Sequence, residues 1–288
     1  MGAPGARRLD TSGATCDPRA MDRDDALDAL APTLAAWLIA TAAADPRRRR
    51  FGAARHHYQL GAPLSAATVD AFEAATGGAL PAAYRAFVTT VGDGGAGPYY
   101  GLWPLAHPLQ RAIATGEFAP TAPGRAAYRG VIGLGHVGCG QLALLIVRGA
   151  HAGEVWIDAR GADGALRPIA RDFGAYYVAW VQAVTHDRLL PGGAPAGACP
   201  LPRGLSHYLA SCERRAQVAP GALSGAQLRG ALAALGPGSI RCEASGDDPF
   251  FAAGAALDPC PACAVMIDQL HAQGLGAEAV VEGENWPP

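Results

Sequence analysis

The sequence has no lysine. Every basic side chain is an arginine, and with 38 glycines and 23 prolines this reads as a coding bias from which no function follows. It also lacks an excess of either charge: the formal net charge is −2. That balance argues against a general nucleic-acid binder, which would carry a marked basic excess. No apolar run reaches the roughly 20 residues that a membrane span needs. The nearest, Leu30 to Ala44, contains Pro32 and is bounded by Asp28 and Asp45. A signal peptide is not expected, because Asp22, Asp24 and Asp25 precede the first apolar stretch in the wrong charge order. The seven cysteines are odd in number and scattered, so free thiols in a reducing cytoplasm are expected. There is no nucleophile elbow, no helix with paired zinc-binding histidines and no phosphate loop, which weakens every enzymatic reading.

What is present suffices for a real core: 288 residues, half of them hydrophobic, form one large domain or two modest ones. Residues 1–20 are rich in Gly, Pro, Ser and Thr without a period and read as a flexible tail, and Met21 is a second candidate start. Residues 21–50 hold an alanine-rich helix with Leu27, Leu30, Leu34, Trp37 and Leu38 at helical spacing. The run Arg47 to Arg50 reads as a solvated charge cluster. Ser65 caps a helix through Thr76 that presents Val69 and Phe72 and ends at Gly77-Gly78. A second helix starts at Leu80-Pro81 and turns Tyr84, Phe87, Val88 and Val91 inward. "GDGGAGPYYG", residues 92–101, is a glycine-rich turn, and residues 110–129 read as a mobile connection. Strands are expected around Val131, over Leu142 to Val147, and over Glu154 to Asp158, separated by the turns "GHVGCG" and "RGAHAG" as in an antiparallel meander. Phe173 to Val184 returns to helix with Tyr176, Tyr177 and Trp180 buried. A linker, "LPGGAPAGACPLP", follows at 190–202, and helices are expected at Leu205 to Arg215, Ser224 to Leu235 and Ala264 to Gln273.

Gly133-x-Gly135-x-x-Gly138 matches the spacing of a dinucleotide-binding loop, which needs a strand before it and a helix opening at the third glycine. Only Val131 and Ile132 precede it as strand formers, and Leu142 to Val147 is apolar all round and suits a buried strand.

The order Phe72-Glu73, Gly77-x-x-Leu80-Pro81-x-x-Tyr84-Arg85-x-Phe87, "GDGGAGPYYGLWPL", "GCG" at 138–140, "LLIVRGAHAGEVWID" and a closing aromatic helix resembles the SUKH superfamily, the Smi/Knr-like domain. The resemblance implies an α+β fold, a mainly antiparallel sheet with helices packed on it, here over 51–189. A linker at 190–203 and a small, mostly helical C-terminal extension at 204–288 depart from the family pattern. Under this resemblance the glycine fingerprint is a turn of the meander. The function it implies is that of a non-catalytic immunity protein that binds and neutralises a cognate polymorphic toxin of nuclease or deaminase type. The partner would be a protein, with no direct nucleic-acid or membrane contact and no cofactor.

Candidate contact residues are Tyr99, Tyr100 and Trp103 beside the glycine turn, aromatics that suit an interface or else fill the edge of the core. Asp93 and Asp158, with Glu154 and Asp163, would offer negative charge to a basic nuclease or be solvated turn residues. "DPCPAC" places Cys260 and Cys263 at a helix start, where thiol pKa is lowered. The alternative function is a redox or zinc-binding protein using that pair, with Cys242, Cys212 or His271 completing a zinc set. Ordinary buried thiols are the third reading, and no metal is assigned.

Overall fold

The run Gln141–Ile146 is apolar in nearly every position because both faces of its strand are covered. Alternation marks a strand with one wet face, and a continuous apolar run marks one buried on both. In the computed structural model, which describes residues 25–162, 164–188, 190, 199–244, 249–281 and 283, this strand is the centre of the molecule. The tail at 1–20 and most of the linker lie outside the described residues, as does Asp163.

Four antiparallel strands, β1 (Val131–Gly138), β2 (Gln141–Ile146), β3 (Val155–Asp158) and β4 (Leu166–Ala170), form one sheet in sequence order. Its register pairs Val131 with Ile146, Leu144 with Trp156 and Asp158 with Leu166. One face carries Ile132, Leu134, Ala143, Leu145, Val155 and Ile157. It packs on helices α1 (Asp25–Ala44), α3 (Ala66–Thr76), α4 (Ala82–Thr90) and α6 (Phe173–Thr185), with the single turn α2 (Ala53–His56) at the entry. Between α4 and the sheet lie the 92–101 loop and the short helix α5 (Pro108–Ile113). The other face carries Val131, Leu142, Leu144, Ile146 and Trp156. Over it lies the C-terminal extension: α7 (Pro200–Ala216), α8 (Gly225–Ala233), the two-residue strands β5 (Cys242–Glu243) and β6 (Ala256–Leu257), and α9 (Pro261–Ala272). The α+β architecture expected from the sequence is the one observed.

Local sequence signals account for most element ends. The Ser65 hydroxyl accepts from the Thr68 N–H at 3.1 Å, and Gly77 ends α3 in the left-handed conformation. Asp172 caps α6 through the Ala175 N–H at 2.7 Å. Ser224 and Gln227 close a reciprocal capping box on α8. In α1, Leu34 and Leu38 are buried, and Trp37 meets the Trp180 ring edge-on at 5.5 Å.

Two expectations need correction, and one strand is added. "GHVG" is strand, not turn: β1 continues to Gly138 and the hairpin turns on Cys139-Gly140 alone. The fingerprint glycines therefore sit inside a strand with another strand after it, not at a strand-to-helix loop. Gly133 is there because a Cβ would run into the rings of Phe250 and Trp103. Residues 110–129 are not a loose connection. Gln110 is fully buried, its amide donating to the Gly133 carbonyl at 2.8 Å and accepting from the Gly133 N–H at 3.0 Å, so a side chain satisfies the outer edge of β1. Finally, β4 lacks a sequence signal: it contains Pro168, which fits only an edge strand, and its side chains are half exposed.

Candidate functional site

The two-residue hairpin between β1 and β2 needs positive φ at both central positions, the type I′ geometry whose twist matches the strands. Cys139 (φ 52°) and Gly140 (φ 75°) supply it, after Gly138 at φ 107°. This thrusts the Cys139 side chain out of the sheet toward the extension. The segment 258–260 lies against the turn so closely that a Cβ on Gly138 would overlap the backbone of Pro259 and Cys260. The Cys139 N–H donates to the Asp258 carbonyl at 2.8 Å, and the Cys260 N–H donates to Cys139 Sγ at 3.3 Å.

Two helices begin at the same point. Cys199 is the N-cap of α7 and Cys260 the N-cap of α9, each followed by proline at the first helical position. Cys263 follows in the first turn of α9. The sulfurs of Cys139, Cys199, Cys260 and Cys263 all lie within 4.8 Å of one another, and all four residues are buried. Cys199 and Cys260 Sγ are 3.4 Å apart. The Gln141 side-chain amide donates to Cys199 Sγ at 3.8 Å. The described cysteines are free thiols.

The pair flagged in the sequence is thus completed by Cys139 and Cys199. Of the residues expected to complete it, Cys242 is buried and hydrogen-bonds to Cys139, which lowers its pKa, but it stands outside the set of four. Cys212 accepts from Arg215 at 3.0 Å, and His271 Nδ1 bonds the Leu275 carbonyl at 2.9 Å. The signal that would have found the other two is the repeated Cys-Pro at a helix start, together with a cysteine between glycines in a tight turn.

A second clasp holds the same junction. Arg55 on α2 grips Asp258 with two hydrogen bonds, Nε to Oδ2 at 3.1 Å and Nη2 to Oδ1 at 2.6 Å, and Nη2 also donates to the Gly283 carbonyl at 3.0 Å. Paired planar forks of this kind are among the stronger polar contacts in proteins.

Of the two readings of Tyr99, Tyr100 and Trp103, a partner surface or the edge of the core, the arrangement agrees with the second. Trp103 is buried against the Phe250 and Phe251 rings at 4.9 and 6.1 Å, and the Tyr100 hydroxyl donates to the Pro259 carbonyl while its ring lies over His136. Both aromatics form an interface with the chain's own extension. Tyr99, also buried, borders a cleft of about 170 Å³ with Arg49, Arg50, Phe51, Trp180 and Arg188.

The two carboxylates are internal as well. Asp93 accepts from the Leu105 N–H at 2.6 Å and the Ala106 N–H at 3.2 Å, fixing the glycine-rich loop, and burial raises its pKa. Burial acts the same way on Asp158, yet Arg160 (2.7 and 2.9 Å) and the Tyr128 hydroxyl (2.6 Å) outweigh it and hold the carboxyl below the usual range. Asp158, Arg160 and Glu243 border a second cleft, of about 290 Å³, that reaches Cys139. Glu154 accepts from the Trp156 indole at 2.8 Å.

Residues 63–178 match the model of the SMI1/KNR4 family (SUKH-1). The match runs from just before α3 through the whole sheet and into α6, most of the layers that make the first face of the core, and it supports the resemblance of this part of the chain to the SUKH superfamily. Comparisons with curated proteins and with solved structures give no match. No helix among the described residues is long and apolar enough to cross a membrane.

Proposed function

We propose that this SUKH protein is a non-catalytic binder of a protein partner, an immunity protein that neutralises a cognate polymorphic toxin of nuclease or deaminase type in the cytoplasm. The observation that carries the reading is the family match over 63–178, since bacterial domains of this kind act mainly by occluding a toxin. The polar groups described around the sheet support it too. Asp93, Asp158 and Glu154 are engaged in structural hydrogen bonds rather than converging on a reactive centre. In this reading the partner meets the cleft that Tyr99 borders, whose rim carries the exposed Arg49 and Arg188 beside the Arg50–Asp187 pair. Exposed arginines are favoured at protein interfaces, and in this reading the toxin surface that meets them is acidic.

Co-expression with the toxin domain encoded beside it tests the reading. The full chain should restore growth of the intoxicated host and co-elute with the toxin as a stoichiometric complex, and an Arg49→Glu/Arg188→Glu variant should weaken that complex at least tenfold. No protection and no complex would overturn the function. An undiminished complex with the variant would move the binding surface elsewhere.

A further inference from the structure

A closed metal centre has a recognisable donor set: four soft ligands, no open position, and second-layer donors to the sulfurs. Zn–S bonds of about 2.3 Å set the sulfurs of a tetrahedral site about 3.8 Å apart. The four cysteine sulfurs here lie within 4.8 Å of one another, Cys199 and Cys260 at 3.4 Å, which is the spacing of one ion between four donors. It is far from the roughly 2 Å of a disulfide. We propose that Cys139, Cys199, Cys260 and Cys263 form a mononuclear structural zinc site that fastens the C-terminal extension to the outer face of the SUKH sheet.

Three independent features point the same way. Cys199 and Cys260 cap two helices, and Cys263 sits in the first turn of the second, so helix N-termini face the sulfurs and favour the thiolate form that metals require. Two N–H groups are aimed at sulfur: the Cys260 amide at Cys139, and the side chain of the fully buried Gln141 at Cys199. Such donors spread the negative charge of metal-bound thiolates. Last, the ligands come from three separate places in the chain: the β1–β2 turn, the start of α7 and the start of α9. Because such a site is absent from the unfolded chain, the free energy of binding the metal adds to that of folding. A redox role for Cys260 and Cys263 fits less well, since both thiols are buried and two further thiols share their space.

The test begins with elemental analysis of the full chain, purified without chelator or histidine tag. One zinc ion per chain is expected to survive dialysis. It should be lost in Cys139→Ser and Cys263→Ser and kept in Cys212→Ser and Cys242→Ser. Because a ligand variant that fails to fold would also lose metal, two measurements use the unaltered chain. Cobalt exchanged into it should give thiolate-to-metal charge-transfer bands and the intense visible bands of a tetrahedral site. Chelation should remove hydrogen-exchange protection from α9 and the first turn of α7 while sparing α3, α4 and α6. A metal-free chain, stoichiometric iron, a Cys260–Cys263 disulfide in fresh protein, or zinc lost with Cys242 but kept without Cys199 would overturn the proposal.

Discussion

His56 and His136 are imidazoles held neutral inside the protein. Burial pushes each down to about 4, with His57 adding to the effect on His56. Among the described residues the buried Nε2 atoms of both meet no hydrogen-bond partner, while Nδ1 of His56 accepts from the Tyr58 N–H at 3.0 Å. In the unfolded chain both rings take up a proton as pH falls through about 6.5, whereas the folded protein resists until about 4. Stability is therefore full above pH 6.5, falls between 6.5 and 4, and levels off below. The loss approaches roughly 3 kcal/mol for each ring. Urea midpoints at pH 7 and pH 5 should show the fall, and His56→Gln, whose ring meets Tyr58 and Trp180 rather than the cysteines, should remove about half of it. An identical fall in that variant would assign the effect to other groups. Neither histidine can be read as buried from its neighbours in sequence, because burial is imposed by aromatic rings from distant segments.

At the scale of elements, the helix caps and the short hairpin follow from local chemistry. Ser65, Ser224 and Gly77 act within a few residues of themselves, and so their roles are legible without the fold. The β1–β2 turn is only half legible. Glycines at 138 and 140 announce a tight turn, but the need for glycine at 138 comes also from Pro259 and Cys260, more than a hundred residues on. Gly138→Ala should accordingly destabilise by more than the roughly 1–3 kcal/mol of a strained φ alone, because the added methyl must also displace the extension. A chemical-denaturation midpoint measures this, and a loss below 1 kcal/mol would mean that the junction yields easily. Strand β4 escaped notice for the opposite reason: Pro168 is a strand breaker in the interior of a sheet and harmless at its edge, and which edge is free is not a local property.

For the whole molecule, the decisive arrangement is a sheet buried on both faces, by its own helices on one side and the extension on the other. A chain ending at residue 189 would uncover Val131, Leu142, Leu144, Ile146 and Trp156 together, a patch larger than monomers tolerate. Such a truncation should bind a hydrophobic dye strongly and aggregate at concentrations where the full chain is monodisperse. A well-behaved truncated monomer would mean that the extension is an ornament. The clasp of Arg55 on Asp258 and the burial of Tyr100 and Trp103 under the extension explain why aromatics that look like a partner surface in sequence are internal.

By itself the sequence determined most of the elements and the family resemblance: periodicity, caps and glycine turns act over a few residues, and the order of Phe72-Glu73, Leu80-Pro81 and "GDGGAGPYYG" carries the resemblance that the family match over 63–178 bears out. Only the tertiary structure decided what the extension covers and which thiols meet. Cys139, Cys199, Cys260 and Cys263 have no mutual spacing to recognise beyond the last pair, because their proximity is produced by a hairpin turn and two helix starts converging across the sheet, a contact set by packing and not by chain distance.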